Sequence, residues 1–107
     1  MPWYVYPVYF FIGALLMNSV PHIVQGICGN KFQTPFATPR GVGESSAIAN
    51  VVWGFSNVVM AIVLLRVVEV PSPWPISLWI TALTGAFALA LYLAARFGKV
   101  RSGAPRP

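Results

Sequence analysis

The sequence predicts an all-α membrane protein with three transmembrane helices, and three observations predict it. Of 107 residues, 57% are apolar and only 8% are charged, whereas a soluble domain carries about 25% charged residues to face water. The mean hydropathy is +0.71. The apolar residues also gather into three blocks, each meeting the roughly 20 residues that a bilayer span requires. Seven basic and two acidic side chains cannot clothe a globule of this length, which excludes a water-soluble monomer. Lipid offers the backbone no hydrogen bonds, so the spans are helices or strands of a closed barrel. The short alternating runs of barrel strands are absent, leaving helices at about 6–26, 46–68 and 74–97 in a single membrane domain, 1–107.

The first helix carries Pro7 in its opening turn, where the missing N–H would be unpaired anyway. Before it, MPWYVYP lacks the positive region of a cleavable signal and is expected to be retained. The second helix has Ser45 and Ser46 as candidate N-caps, with Glu44 suiting the positive end of its dipole. Residues 69–75 (EVPSPWP) hold three prolines, which end one helix and open the next. This predicts a tight antiparallel hairpin of helices two and three. A basic tail, 98–107, closes the chain.

The charges set an orientation. With the C-terminus inside, Lys31, Arg40, Arg96, Lys99, Arg101 and Arg106 fall on the inner side and Arg66 alone outside, a positive-inside asymmetry that predicts N-out, C-in. Trp3, Tyr4, Tyr6, Tyr9, Trp74 and Trp79 then gather at the outer interface. The basic tail suits anionic headgroups, and no nucleic-acid module accompanies it. The cytoplasmic loop, 27–45, is rich in glycine and proline and shows no helical or strand period. Its Phe32 and Phe36 argue against plain disorder and place it along the inner interface or beneath the helices.

The run Pro21-His22-Ile-Val-Gln-Gly26, then Gly29, Phe32, Thr34-Pro35-Phe36-Ala37, Pro39, Gly41, Gly43, Ser45-Ser46, Asn50 and Trp53-Gly54, resembles an uncharacterised family of small bacterial inner-membrane proteins. The resemblance covers about a third of the chain. It implies a bacterial source and a short multi-pass inner-membrane protein, and it carries no activity, cofactor or substrate.

The candidate site is a polar intramembrane cluster. Asn18, Ser19 and His22 lie near the inner end of helix one, and Asn50, Ser56 and Asn57 in the inner half of helix two. His22 is four residues from Gly26 and Asn50 four from Ser46, so each sits roughly 6 Å in from its helix end. Tyr92, four residues before Arg96, reaches the same depth, giving a layer of His22, Asn50 and Tyr92. Asn18 is level with Gly54, where the helices can approach closely. Asn50, Trp53/Gly54 and Asn57 share one face. Such a cluster either serves as interhelical glue or uses the histidine as a proton relay or ligand group.

Arg40, Gly41, Gly43, Ser45 and Ser46 form a possible anion or headgroup contact before helix two, with ordinary capping as the other reading. On helix three, Ala82, Ala86, Ala90 and Ala94 recur every four residues, with Thr81, Gly85 and Ala95 beside them. This stripe of small residues favours close packing in lipid, most simply inside the protein against helix two, with an oligomer seam as the other reading.

His22 and Cys28 alone do not make a zinc site, so neither metal nor cofactor is expected, and one cysteine makes no internal disulfide. The only acids, Glu44 and Glu69, lie at helix ends, which disfavours proton-coupled transport, and no triad is legible. The expected function is therefore that of a non-enzymatic accessory or interaction subunit, packing with itself or with a larger membrane complex. The second reading is a homo-oligomeric channel or transporter for a small solute, lined by Asn18, His22, Asn50 and Asn57. The third is a lipid-binding protein or membrane enzyme using His22.

Overall fold

The computed structural model describes residues 1–102. Three helices, α1 (Val5–Ile27), α2 (Ala47–Val67) and α3 (Ile76–Arg101), are joined by a loop holding a short antiparallel pair, β1 (Phe32–Gln33) and β2 (Glu44–Ser45). All three helices are long and apolar enough to cross a membrane. Their outward faces fit that solvent: Ile48, Val52, Phe55, Val59 and Ile62 form an exposed stripe along α2, the i, i+3/i+4 pattern of a face meeting hydrocarbon. Arg106 lies outside the described residues.

The first helix occupies the middle. Both α2 and α3 pack along α1, so the hairpin of α2 with α3 that the proline-rich linker suggests is not the main contact. Backbone shape is the reason. A Cβ on Gly13 of α1 would collide with the Ala82 carbonyl of α3, and a Cβ on Gly85 of α3 would collide with the Phe10 carbonyl of α1. This reciprocal pair brings the two backbones into contact, the arrangement that drives helix association in lipid. The small residues of α3 therefore serve α1, not α2. On the other side of α1, a Cβ on Gly54 of α2 would stand 2.5 Å from the Ile23 side chain and 3.1 Å from the Ser19 carbonyl.

At one end of the bundle, Tyr9 is buried and its hydroxyl donates to the Val68 carbonyl at 2.7 Å, satisfying a backbone acceptor at the C-cap of α2. Trp74 packs edge-on against Tyr9 at 5.0 Å, donates to the Val70 carbonyl and meets Trp79. Val5, Ile12, Leu15, Ala61 and Leu78 complete this core.

The other end is more elaborate. The first helix closes with Gly29 in the left-handed region (φ 79°), the Gly29 N–H donating to the Gly26 carbonyl and the Asn30 N–H to the Gln25 carbonyl, a Schellman turn. Ser46 caps α2, its hydroxyl accepting from the Ala49 N–H at 3.1 Å. The third helix continues to Arg101, beyond the 97 read from sequence, because its last turns have a partner. Phe97 packs on Phe32 at 4.7 Å, the Arg101 guanidinium stands 4.7 Å over the same ring, and Arg101 meets Glu44 at 3.7 Å. Its 26 residues span about 39 Å, longer than the roughly 30 Å hydrocarbon core. The loop and the ends of all three helices thus form a small cap at one end of the bundle.

Candidate functional site

The polar residues at this end are organised around Asn50, which is fully buried. Its Nδ2 shares two N–H groups among the carbonyls of Phe32 (3.1 Å), Ser45 (3.1 Å) and Ser46 (3.0 Å). That leaves Oδ1 to accept, and it takes the Nδ1–H of His22 at 2.7 Å. One side chain on α2 therefore ties together α1, both strands of the loop and the start of its own helix. The bond also fixes the neutral imidazole with its proton on Nδ1, leaving Nε2 as an acceptor. His22 is buried, edge-on to Phe32 at 5.4 Å and to Trp53 at 6.4 Å.

One layer deeper, Asn18 Nδ2 donates to Asn57 Oδ1 at 3.0 Å, and Asn57 Nδ2 donates to the Trp53 carbonyl at 2.9 Å. Ser19 and Ser56 bond back within their own helices, to the Leu16 and Val52 carbonyls. Tyr92 is exposed and makes no hydrogen bond to His22 or Asn50 among the described residues. It lines a cavity beside the histidine instead.

The donors of the segment before α2 are spent on the loop itself. The Gly41 N–H donates to the Thr34 carbonyl, and the N–H groups of Val42 and Gly43 to the Pro39 carbonyl. The Ser45 hydroxyl pairs with that of Thr34 at 2.6 Å, and Ser46 is the N-cap. Gly41 sits at φ 71°, which favours glycine, while Arg40 is exposed. Of the small residues on α3, Gly85 is buried, Ala82, Ala86 and Ala90 are half-buried and Ala94 is exposed.

A cavity of about 230 Å³ opens where α1, α2, α3 and the loop meet, lined by Asn18, His22, Gln33, Thr34, Trp53, Tyr92 and Arg96 together with Pro35, Gly41, Leu93 and Phe97. Two polar atoms of this wall are buried without a hydrogen-bond partner among the described residues: Gln33 Oε1 and Trp53 Nε1. Gln33, Thr34 and the indole N–H of Trp53 were not legible as site groups, since a loop without period gives no sign of which residue turns inward. Trp53 does share the Asn50/Asn57 face, the one available signal.

Among the described residues, no three His, Cys, Asp or Glu side chains come together to hold a metal. His22 is engaged with Asn50, whereas Cys28 is exposed at the C-cap of α1. No family model, curated protein or solved structure matches the chain, so the reading of this site rests on its own geometry.

Proposed function

We propose that the protein is a non-enzymatic accessory or interaction subunit of the bacterial inner membrane, with its N-terminus outside and its cap on the cytoplasmic side. The observation that carries this reading is the clasp at Asn50. Polar groups at membrane depth are expensive, and here they are committed to holding the loop as a preformed surface. Ordering a loop opposes its conformational entropy, about 1–2 kcal/mol per residue for the backbone, so a loop built this way is suited to presentation. The surface is basic: the loop and the last turns of α3 carry Lys31, Arg40, Arg96, Lys99 and Arg101 against one acid, Glu44, which Arg101 meets, as expected of a face meeting anionic headgroups and the juxtamembrane part of a partner complex or second copy. The pairing of Asn18 with Asn57 and of His22 with Asn50 inside one protomer speaks against these side chains lining a channel between copies.

Amine-directed cross-linking in native membranes, read by mass spectrometry, tests the reading. Lys31 and Lys99 are expected to join this chain to a larger membrane complex or to a second copy, and His22→Ala is expected to keep those links. A chain that stays uncrosslinked and monomeric, with solute flux in liposomes abolished by His22→Ala, would overturn the reading in favour of a conduit.

A further inference from the structure

The cavity beside His22 has the composition of a binding site. Its walls are mostly apolar, with Pro35, Leu93 and Phe97 among them, while Arg96 and Tyr92 are exposed at its open side. Inside, Gln33 is only 5% exposed, and its Oε1 has no partner among the described residues; the Trp53 N–H is likewise buried and unpartnered among them. Buried polar atoms are nearly always hydrogen-bonded, and an exception calls for an explanation. One of the two is an acceptor and the other a donor, and His22 Nε2 supplies a second acceptor. A hydroxyl answers both needs, because it donates and accepts at once. The arginine at the open side adds a preference for an anion: its Nη2 bonds the Gly41 carbonyl at 3.4 Å, and a guanidinium carries further donors for a phosphate. The volume exceeds the roughly 150 Å³ that admits a benzene ring, room enough for a three-carbon polyol.

We propose that this cavity binds a hydroxylated phosphoester, glycerol phosphate in its chemistry, with the hydroxyls at Gln33, Trp53 and His22 and the phosphate at Arg96. The same chemistry reaches the site either as the headgroup of phosphatidylglycerol or as soluble glycerol 3-phosphate. The inference requires the membrane-spanning fold but not the interaction role above, so either stands if the other fails.

The test is native mass spectrometry of the full chain reconstituted in nanodiscs of phosphatidylcholine containing either phosphatidylglycerol or phosphatidic acid, which is anionic but lacks the headgroup diol. Phosphatidylglycerol is expected to be retained about tenfold over phosphatidic acid, the ratio that one or two well-placed hydrogen bonds supply. Gln33→Leu and Trp53→Phe are each expected to bring that ratio towards one, and Arg96→Ala to weaken both lipids together. Since Gln33 Oε1 and Trp53 Nε1 bond to nothing within the described chain, those two variants are expected to keep or raise the thermal midpoint in lipid-free detergent. A structural role for either group would lower it. Displacement of bound phosphatidylglycerol by soluble glycerol 3-phosphate would assign the free compound as the source, and failure to displace would assign the lipid. Equal retention of the two anionic lipids, wild-type selectivity in Gln33→Leu and Trp53→Phe, or retention of water only would overturn the proposal.

Discussion

Replacing Asn50 with leucine is expected to release the loop from the helices. Leucine has a similar size but offers neither donor nor acceptor, so the Asn50 side-chain bonds to the Phe32 and Ser45 carbonyls and to the His22 Nδ1–H are lost together. The Ser46 carbonyl keeps one, because the Asn50 backbone N–H also donates to it at 3.0 Å. Each buried hydrogen bond lost costs about 1 kcal/mol, and more where a group is left unpaired; the three share one pivot, so a loss of about 3 kcal/mol is expected. Limited trypsin digestion in detergent reads it directly. Cleavage after Lys31 and Arg40 should accelerate by about two orders of magnitude, the factor that 3 kcal/mol represents when digestion follows the open population. His22→Ala removes only one of these bonds and should accelerate cleavage far less.

Gly85→Val is expected to separate α3 from α1. The new Cβ would occupy the position of the Phe10 carbonyl, and a backbone atom in a helix cannot rotate away as a side chain would. The helices must part, and in lipid their association depends on close van der Waals contact. Overpacking of this kind costs about 1–3 kcal/mol, occasionally more. Partial relief is blocked because Gly13 meets Ala82 in the same way, so a shift that opens one contact loosens the other. The thermal midpoint in detergent should fall by several degrees, with Gly85→Ala already showing most of the effect. Gly98→Ala is the control: among the described residues nothing lies within 4 Å of a Cβ there, and alanine is the better helix former by about 1 kcal/mol. Its midpoint should hold or rise.

Much of this architecture is legible in the residues, for identifiable reasons. The spans follow from run length and apolarity, since a helix rises a fixed distance per residue. The same regularity makes depth readable, which is how Asn18 and His22 on one helix could be set level with residues near Gly54 and Asn50 on another. Which helix lies in the middle is not legible in that way. The prolines between 69 and 75 fix chain adjacency of α2 and α3, but the choice of packing partner lies in the match of Gly13 with Ala82 and of Gly85 with Phe10, a complementarity of two surfaces that no single segment displays. The β1–β2 pair is equally hidden, because two residues are too few to show a period. Asn50 shows its polarity in the sequence, but its four partners come from α1, β1, β2 and the N-cap of α2, and only folding brings them together. Tyr9 is an interfacial aromatic by position and becomes a core residue because the Val68 carbonyl needs a donor.

Amide hydrogen–deuterium exchange of the chain in lipid nanodiscs tests the central claim, that the 28–46 segment is a fastened cap and not a tether between spans. The amides of Gly41, Val42 and Gly43, each bonded within the loop, are expected to exchange at least a hundredfold more slowly than an unstructured peptide, and Asn50→Leu is expected to abolish that protection. Exchange of these three amides at the unstructured rate in the unmodified chain would contradict the account.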